Sequence, residues 1–218
     1  MKRIIIICEG DTEKEFCTKL LNQHLSSKDI FVQSPLIKKT MGGIVKWSEL
    51  RKQILLHLKS DTTACVTTLI DYYGLYAKYQ FPGWDDAVKI ADKITRMDFL
   101  ENAMLKDIDE DLRHRYLPYI QLHEFEGLLF NDINIFYELI PKNELVGIEE
   151  LNQTFIEFEN PEMINDQKQT SPSHRLMRII KGYNKVVYGN ILADAIGVAN
   201  MRNKSIRFNA WLSKIESV

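Results

Sequence analysis

Four consecutive isoleucines, Ile4 to Ile7, follow Lys2 and Arg3 and lead directly into Cys8, Glu9 and Gly10. A continuous apolar run of this kind predicts a strand covered on both faces, as in a parallel sheet. Thr12 with Glu15 three residues later reads as a capping box, so a helix is expected from Lys14 to about Leu25. Ile30 to Val32 is a short strand candidate, and Ser48 to Leu58 repeats apolar residues at helical spacing. Ala64 to Ile70, rich in β-branched residues, predicts a second buried strand ending at Asp71. Trp84 to Met97 and Asp98 to Leu112 read as two helices, the second opened by Asp98 with Glu101 three residues on. Leu117 to Leu122 is a third core strand candidate; it is followed by His123-Glu124-Phe125-Glu126 and the apolar stretch Gly127 to Phe130. Strands alternating with helices predict an α/β class with a central, mostly parallel sheet. From Asn131 onward the pattern is polar with short helix candidates, broken at Asn160-Pro161 and Ser171-Pro172. The expected organisation is therefore an α/β core over residues 1–130 and a helical C-terminal extension over 131–218, packed on it as one unit.

Composition narrows the class. The chain has 218 residues, 45% hydrophobic and 27% charged, which is ordinary for a globular protein with a full core. A net charge of −2 provides no global field to draw in nucleic acid, so such binding would rest on a local patch or a partner. Cys8, Cys17 and Cys65 match neither a disulfide framework nor a zinc site and are expected to be core thiols in a reducing cytoplasm. No stretch reaches the roughly 20 apolar residues of a membrane span. Met1-Lys2-Arg3 with the four isoleucines is too short for a signal sequence. Gly42-Gly43 and Gly74 are expected to serve turns; the lysine and hydroxyl residue of a Walker-type phosphate loop are missing.

The chemistry lies in carboxylates placed after successive strands: Glu9 and Glu13, Asp71, then Glu124 and Glu126. In open α/β sheets, sites form at the carboxyl ends of the strands. Hard divalent cations take oxygen ligands, and Mg²⁺ needs only one or two carboxylates beside water and substrate phosphate. These five acids are accordingly the candidate ligands for magnesium or manganese. Lys185, Lys181 and Arg175 are candidates to offset developing phosphate charge. The last belongs to the hydroxyl-rich segment Thr170 to Arg175, in which Ser173 is a further candidate substrate contact. His123, beside two glutamates, invites a ligand or base role, while Tyr72 and Tyr73 invite a nucleophilic one; packing roles compete with both.

Taken together, Glu9-Gly10-x-Thr12-Glu13, Asp71-Tyr72-Tyr73-Gly74, Phe81-Pro82-Gly83, Gln121 to Phe130, Ser171-Pro172-Ser173 and Tyr183-x-Lys185 resemble the bacterial, Toprim-related domain-of-unknown-function family 4276 over nearly the whole chain. The resemblance implies a Toprim-like fold in which Glu9 and Asp71 match the acids that hold magnesium for cleaving or joining nucleic-acid backbones. Where Toprim proteins carry Asp-x-Asp, this chain has Asp71-Tyr72-Tyr73, so Glu124 or Glu126 would have to supply the missing ligand. Similarity to overcoming-lysogenization-type nucleases further implies an ABC-class ATPase partner, a role in bacterial defence and, through a lysine in those sites, a catalytic part for Lys185. The function expected is a divalent-metal-dependent nuclease or nuclease subunit acting on DNA or RNA. The alternatives are a non-catalytic Toprim-fold partner of an ATPase, and a metal-dependent phosphatase or nucleotide-processing enzyme. A topoisomerase is disfavoured because the chain has no room for a strand gate. Homo-oligomerisation is left open.

Overall fold

A computed structural model of the chain describes residues 2–38, 43–164 and 167–218. The turn expected at Gly42 lies outside these residues. The chain divides into two compact units, Met1–Leu122 with Trp211–Val218, and His123–Ala210.

The first unit is built on a parallel sheet. Its strands are β1 (Lys2–Cys8), β2 (Ile30–Gln33), β3 (Cys65–Asp71) and the two-residue strands β4 (Tyr116–Leu117) and β5 (Ile120–Gln121). The order is β2-β1-β3-β4, with β5 also pairing β3. All pairings are parallel, and β1 meets β3 with Ile4 opposite Cys65 and Cys8 opposite Leu69. The isoleucine run behaves as its pattern predicts, with Ile4 to Ile7 no more than 3% exposed. β3 is buried along its full length although it contains Thr67 and Thr68. Both hydroxyls are satisfied: Thr67 Oγ1 donates to Leu117 O and Thr68 Oγ1 to Tyr119 O, pinning the strand to the segment beside it. At the edge, β2 alternates buried and exposed positions, as a strand with one covered face should.

Several local boundaries differ from expectation, each for a visible reason. The first helix begins at Asp11 rather than Lys14: α1 (Asp11–Phe16) passes through a π-helical segment, Cys17–Leu21, into α2 (Asn22–Ser26). Gly10 is its N-cap in extended geometry, and Thr12 is buried in the first turn instead of capping it. After α3 (Trp47–Ser60), the stretch read as one helix from Trp84 contains only the short α4 (Trp84–Ala87) and then α5 (Lys93–Lys106). The cap of α5 is Asp92, whose Oδ1 accepts from Thr95 N and Oγ1, so Asp98 lies inside the helix and not at its start. The single strand expected over Leu117–Leu122 is split at Pro118, which has no N–H to give the ladder.

Trp211, at the head of the returning segment, belongs to the sheet unit. Its Nε1 donates to Thr67 Oγ1 at 2.8 Å and its ring stacks on Tyr119 at 4.5 Å. All three cysteines are buried free thiols.

Beyond short 3-10 turns, the regular elements of the second unit are helices: α6 (Ile133–Leu139), α7 (Ile148–Glu157), α8 (Pro172–Ile179), α9 (Lys185–Lys204) and the start of α10 (Ile206–Glu216). An isolated bridge joins Leu145 to Ile180. The breaks at Pro161 and Pro172 stand as expected, each proline at the first turn of a helical segment. Glu162 is buried and caps α10, its two oxygens accepting from the amides of Arg207 and Phe208. A parallel sheet with helices, followed by a helical C-terminal region, is the α/β class expected from the sequence. Among the described residues no helix is long and apolar enough to cross a membrane.

Candidate acid centre

In the first unit, the parallel register of β1 and β3 sets Glu9 and Asp71 at the carboxyl ends of neighbouring strands. Glu9 N donates to Leu69 O, extending the ladder one residue beyond Cys8. From there the side chain turns across the sheet, and Glu9 Oε2 accepts the backbone N–H of Asp71 at 3.1 Å. One strand-end acid is thereby oriented by the backbone of the other. Asp71 is 7% exposed and Glu13 only 2%. Glu13 is held close to the turn: a Cβ on Gly10 would come within 2.9 Å of Glu13 Oε2, so the glycine makes room for that carboxylate. The sheet, the glycine turn and the first helical turn thus bring Glu9, Glu13 and Asp71 to one end of the sheet.

In the second unit, Glu124 and Glu126 stand around a 3-10 turn, Phe125–Leu129. Glu124 Oε2 accepts the Ser173 amide and Oε1 accepts the Ser173 hydroxyl, both at 2.9 Å. Ser173 therefore holds this acid at the N-terminal turn of α8, where a carboxylate is favoured. Ser171 Oγ continues the chain of contacts, 3.4 Å from Ser173 Oγ and 3.0 Å from His174 Nδ1. Glu126 is fully buried and makes an ion pair with Lys185 at 3.0 Å, while the lysine itself is 43% exposed. Tyr183, two residues before Lys185, is placed among the same charges. Burial raises the pKa of its hydroxyl, Glu126 adds to the rise, Lys185 opposes it and Glu124 adds further. In the sequence Tyr183 is marked only by its Tyr-x-Lys spacing with Lys185.

The other candidates occupy different settings. Arg175 is buried, donating Nε to Thr170 O and Nη1 to Thr154 Oγ1, with its guanidinium over the Phe158 ring. These contacts fix the hydroxyl-rich segment and occupy the fork that a phosphate would use. Lys181 is exposed, its amide donating to Glu144 O. His123 is buried at the end of the strand region with φ 67, an unusual left-handed conformation for a non-glycine residue. Tyr72 packs against Trp84 at 6.1 Å and accepts from Arg96 Nη1, the packing role that competes with a nucleophilic one.

The donor set suits a hard cation in type, since it consists of carboxylates. Among the described residues, however, no three His, Cys, Asp or Glu side chains form a preassembled metal cage.

Comparison with known proteins gives one family. A search of curated proteins returned no match. Among solved structures, the C-terminal region of the OLD protein of Xanthomonas campestris pv. campestris is similar at 17% identity and a TM-score of 0.39, over 99% of this chain and 97% of that one. The family model described as Domain of unknown function (DUF4276) matches residues 8–216, from the end of β1 to the end of α10. A match over nearly the whole length establishes that the chain belongs to the DUF4276 family.

Proposed function

We propose that the chain is a divalent-metal-dependent nuclease, hydrolysing phosphodiester bonds of DNA or RNA. The observation that carries this reading is the juxtaposition of Glu9 and Asp71 across two parallel strand ends, with the Glu9 carboxylate oriented by the Asp71 amide. The Toprim resemblance of the acidic motifs supports it. Glu9 and Asp71 are the residues that would hold magnesium or manganese, with Glu13 adding negative potential from the first turn of α1. A divalent ion held there would supply Lewis-acid polarisation of a phosphoryl oxygen and acidify a bound water. The protein's part is to fix the acids. The β1–β3 register sets their spacing, burial restrains Asp71 and Glu13, and Gly10 leaves room for the Glu13 carboxylate. Lys185 is the candidate for countering phosphate charge through the resemblance. Action as a subunit beside an ABC-class ATPase, in bacterial defence and in the cytoplasm, belongs to the proposal through the resemblance alone.

A second reading is a non-catalytic subunit, favoured by the pairing of Lys185 with the fully buried Glu126, which gives the lysine a structural task. Calorimetric titration of manganese into wild type, Glu9→Gln and Asp71→Asn, followed by cleavage assays on single- and double-stranded substrates, separates the two. The nuclease reading expects binding in the wild type, its loss in both variants, and Glu9-dependent cleavage that Lys185→Met slows with unchanged metal affinity. Binding and cleavage absent from wild type, or identical in the acid variants, would defeat it.

A further inference from the structure

Directly after Asp71 the chain does not return at once to a helix; it builds an aromatic turn. Tyr76 precedes and Tyr79 ends the 3-10 turn Ala77–Tyr79, and their rings stack at 6.4 Å with an interplanar angle of 27°. Tyr76 is 54% exposed. Lys78 Nζ lies 5.0 Å from the Tyr79 ring centroid and 5.6 Å from that of Tyr76. No carboxylate partner of Lys78 is found among the described residues. The same turn contributes Ala77, with Gln80, Phe81 and Trp84, to the walls of a cleft of about 600 Å³. Trp84 is half-buried and braced by Tyr72, which is itself held by the Arg96 guanidinium. Arg96 is in turn anchored on Ile90 O through Nε and Nη2, so the ledge stands on a hydrogen-bonded frame. A globular core has no use for an exposed stacked pair with a cation set over it, whereas a single-stranded nucleic acid offers flat bases and a phosphate charge to match.

We propose that this ledge, Tyr76, Lys78, Tyr79 and Trp84, is a stacking site for unpaired bases of a nucleic-acid strand. The inference deepens the nuclease reading by naming the substrate class as single-stranded nucleic acid, and it rests on that reading for its biological sense. Asp85 and Asp86 border the cleft, and although Asp86 is paired with Lys89 at 2.8 Å, Asp85 keeps phosphates away from that wall. Lys78, set over the Tyr76 and Tyr79 rings, is the cation of the ledge that suits a phosphate. The ledge begins five residues after Asp71 in the chain.

The protein contains its own reporter. Of the three tryptophans, Trp47 and Trp211 are 6% and 2% exposed, leaving Trp84 as the one open to a stacked base. Oligothymidylate titrated in EDTA, where cleavage cannot occur, is expected to quench tryptophan emission in the wild type. Trp84→Phe should lose the quenching. Anisotropy of a fluorescein-labelled oligothymidylate should report about tenfold weaker binding for Tyr76→Ala, the loss of one stacked base, with Tyr76→Phe near wild type. Unquenched emission, or Tyr76→Ala binding as tightly as wild type, would overturn the ledge. Tyr76 is exposed enough that the alanine variant should fold, and Tyr76→Phe guards against a trivial loss. Manganese-dependent cleavage of the same oligonucleotide by wild type and Glu9→Gln keeps the two ideas apart. Glu9-dependent cleavage without quenching removes the ledge alone, and quenching without any cleavage removes the nuclease reading alone.

Discussion

Tyr183 places its hydroxyl beside Glu126, Lys185 and Glu124, buried and with no hydrogen-bond partner among the described residues. Its ordinary pKa is 10.0, and burial, reinforced by Glu126, pushes it upward. Below pH 10 the tyrosine is neutral whether the chain is folded or not, so it gives stability no pH dependence there. As pH rises past 10.0, the unfolded chain releases this proton while the folded protein keeps it, and stability falls by up to about 1.4 kcal/mol per pH unit. Tyr183→Phe is expected to melt less steeply with alkaline pH than wild type. It should lose little at neutral pH, because a hydroxyl without a partner contributes little there. Calorimetric melting series at neutral and alkaline pH check both halves. The same residue marks a limit of sequence reading: its motif with Lys185 is visible, but the field it occupies exists only once Glu126 is folded against the lysine.

Glycines at element starts separate two kinds of close approach. At Gly10 an added Cβ meets the tip of a side chain, Glu13 Oε2. At Gly147, the N-cap of α7, it meets backbone: Ile179 Cα at 2.7 Å and Arg178 O at 2.8 Å. A main-chain atom in α8 cannot step aside as a carboxylate can, so Gly147→Ala is expected to cost about 1–3 kcal/mol or more through overpacking. Urea unfolding of the variant against wild type measures it, and a midpoint unchanged within error would show that α7 and α8 tolerate separation. At this scale the sequence is decisive where one pattern dominates. The isoleucine run, the β3 run and the helix over α3 all stand because their burial follows directly from hydrophobic order. It is ambiguous where caps compete. Thr12 with Glu15 and Asp98 with Glu101 have capping spacing, yet Gly10 and Asp92 start the helices, because the preceding chain adopts extended geometry at those two residues.

On the scale of the molecule, the returning segment Trp211–Val218 is part of the sheet unit, although it comes last in the chain. Trp211, Leu212 and Ile215 are at most 2% exposed. His24 Nε2 lies 2.7 Å from Glu216 Oε1, which adds a polar tie to α2. Burying each large apolar side chain contributes about 1.5–3 kcal/mol, so the set together is comparable with the 5–15 kcal/mol margin of a whole domain. A chain ending at Ala210 is therefore expected to lose the cooperative melting transition of the sheet, followed by circular dichroism. Retention of a wild-type melt would mean that the sheet unit closes without its last helix.

The sequence by itself determined the α/β class, the buried strands and the acids at their ends, because hydrophobic period and a carboxylate after a strand are local properties of the chain. It also carried the family resemblance, in motifs spread from Glu9 to Lys185. Only tertiary structure decided that Glu9 is oriented by the Asp71 amide and that Ser173 holds Glu124. The same holds for the burial of Arg175, the pairing of Lys185 with Glu126 and the placement of Trp211 on β3. The physical reason is common to all five. Each depends on which groups a folded backbone brings within about 3 Å of one another, the range of a hydrogen bond, and residues far apart in sequence carry no local mark of the partner they will meet.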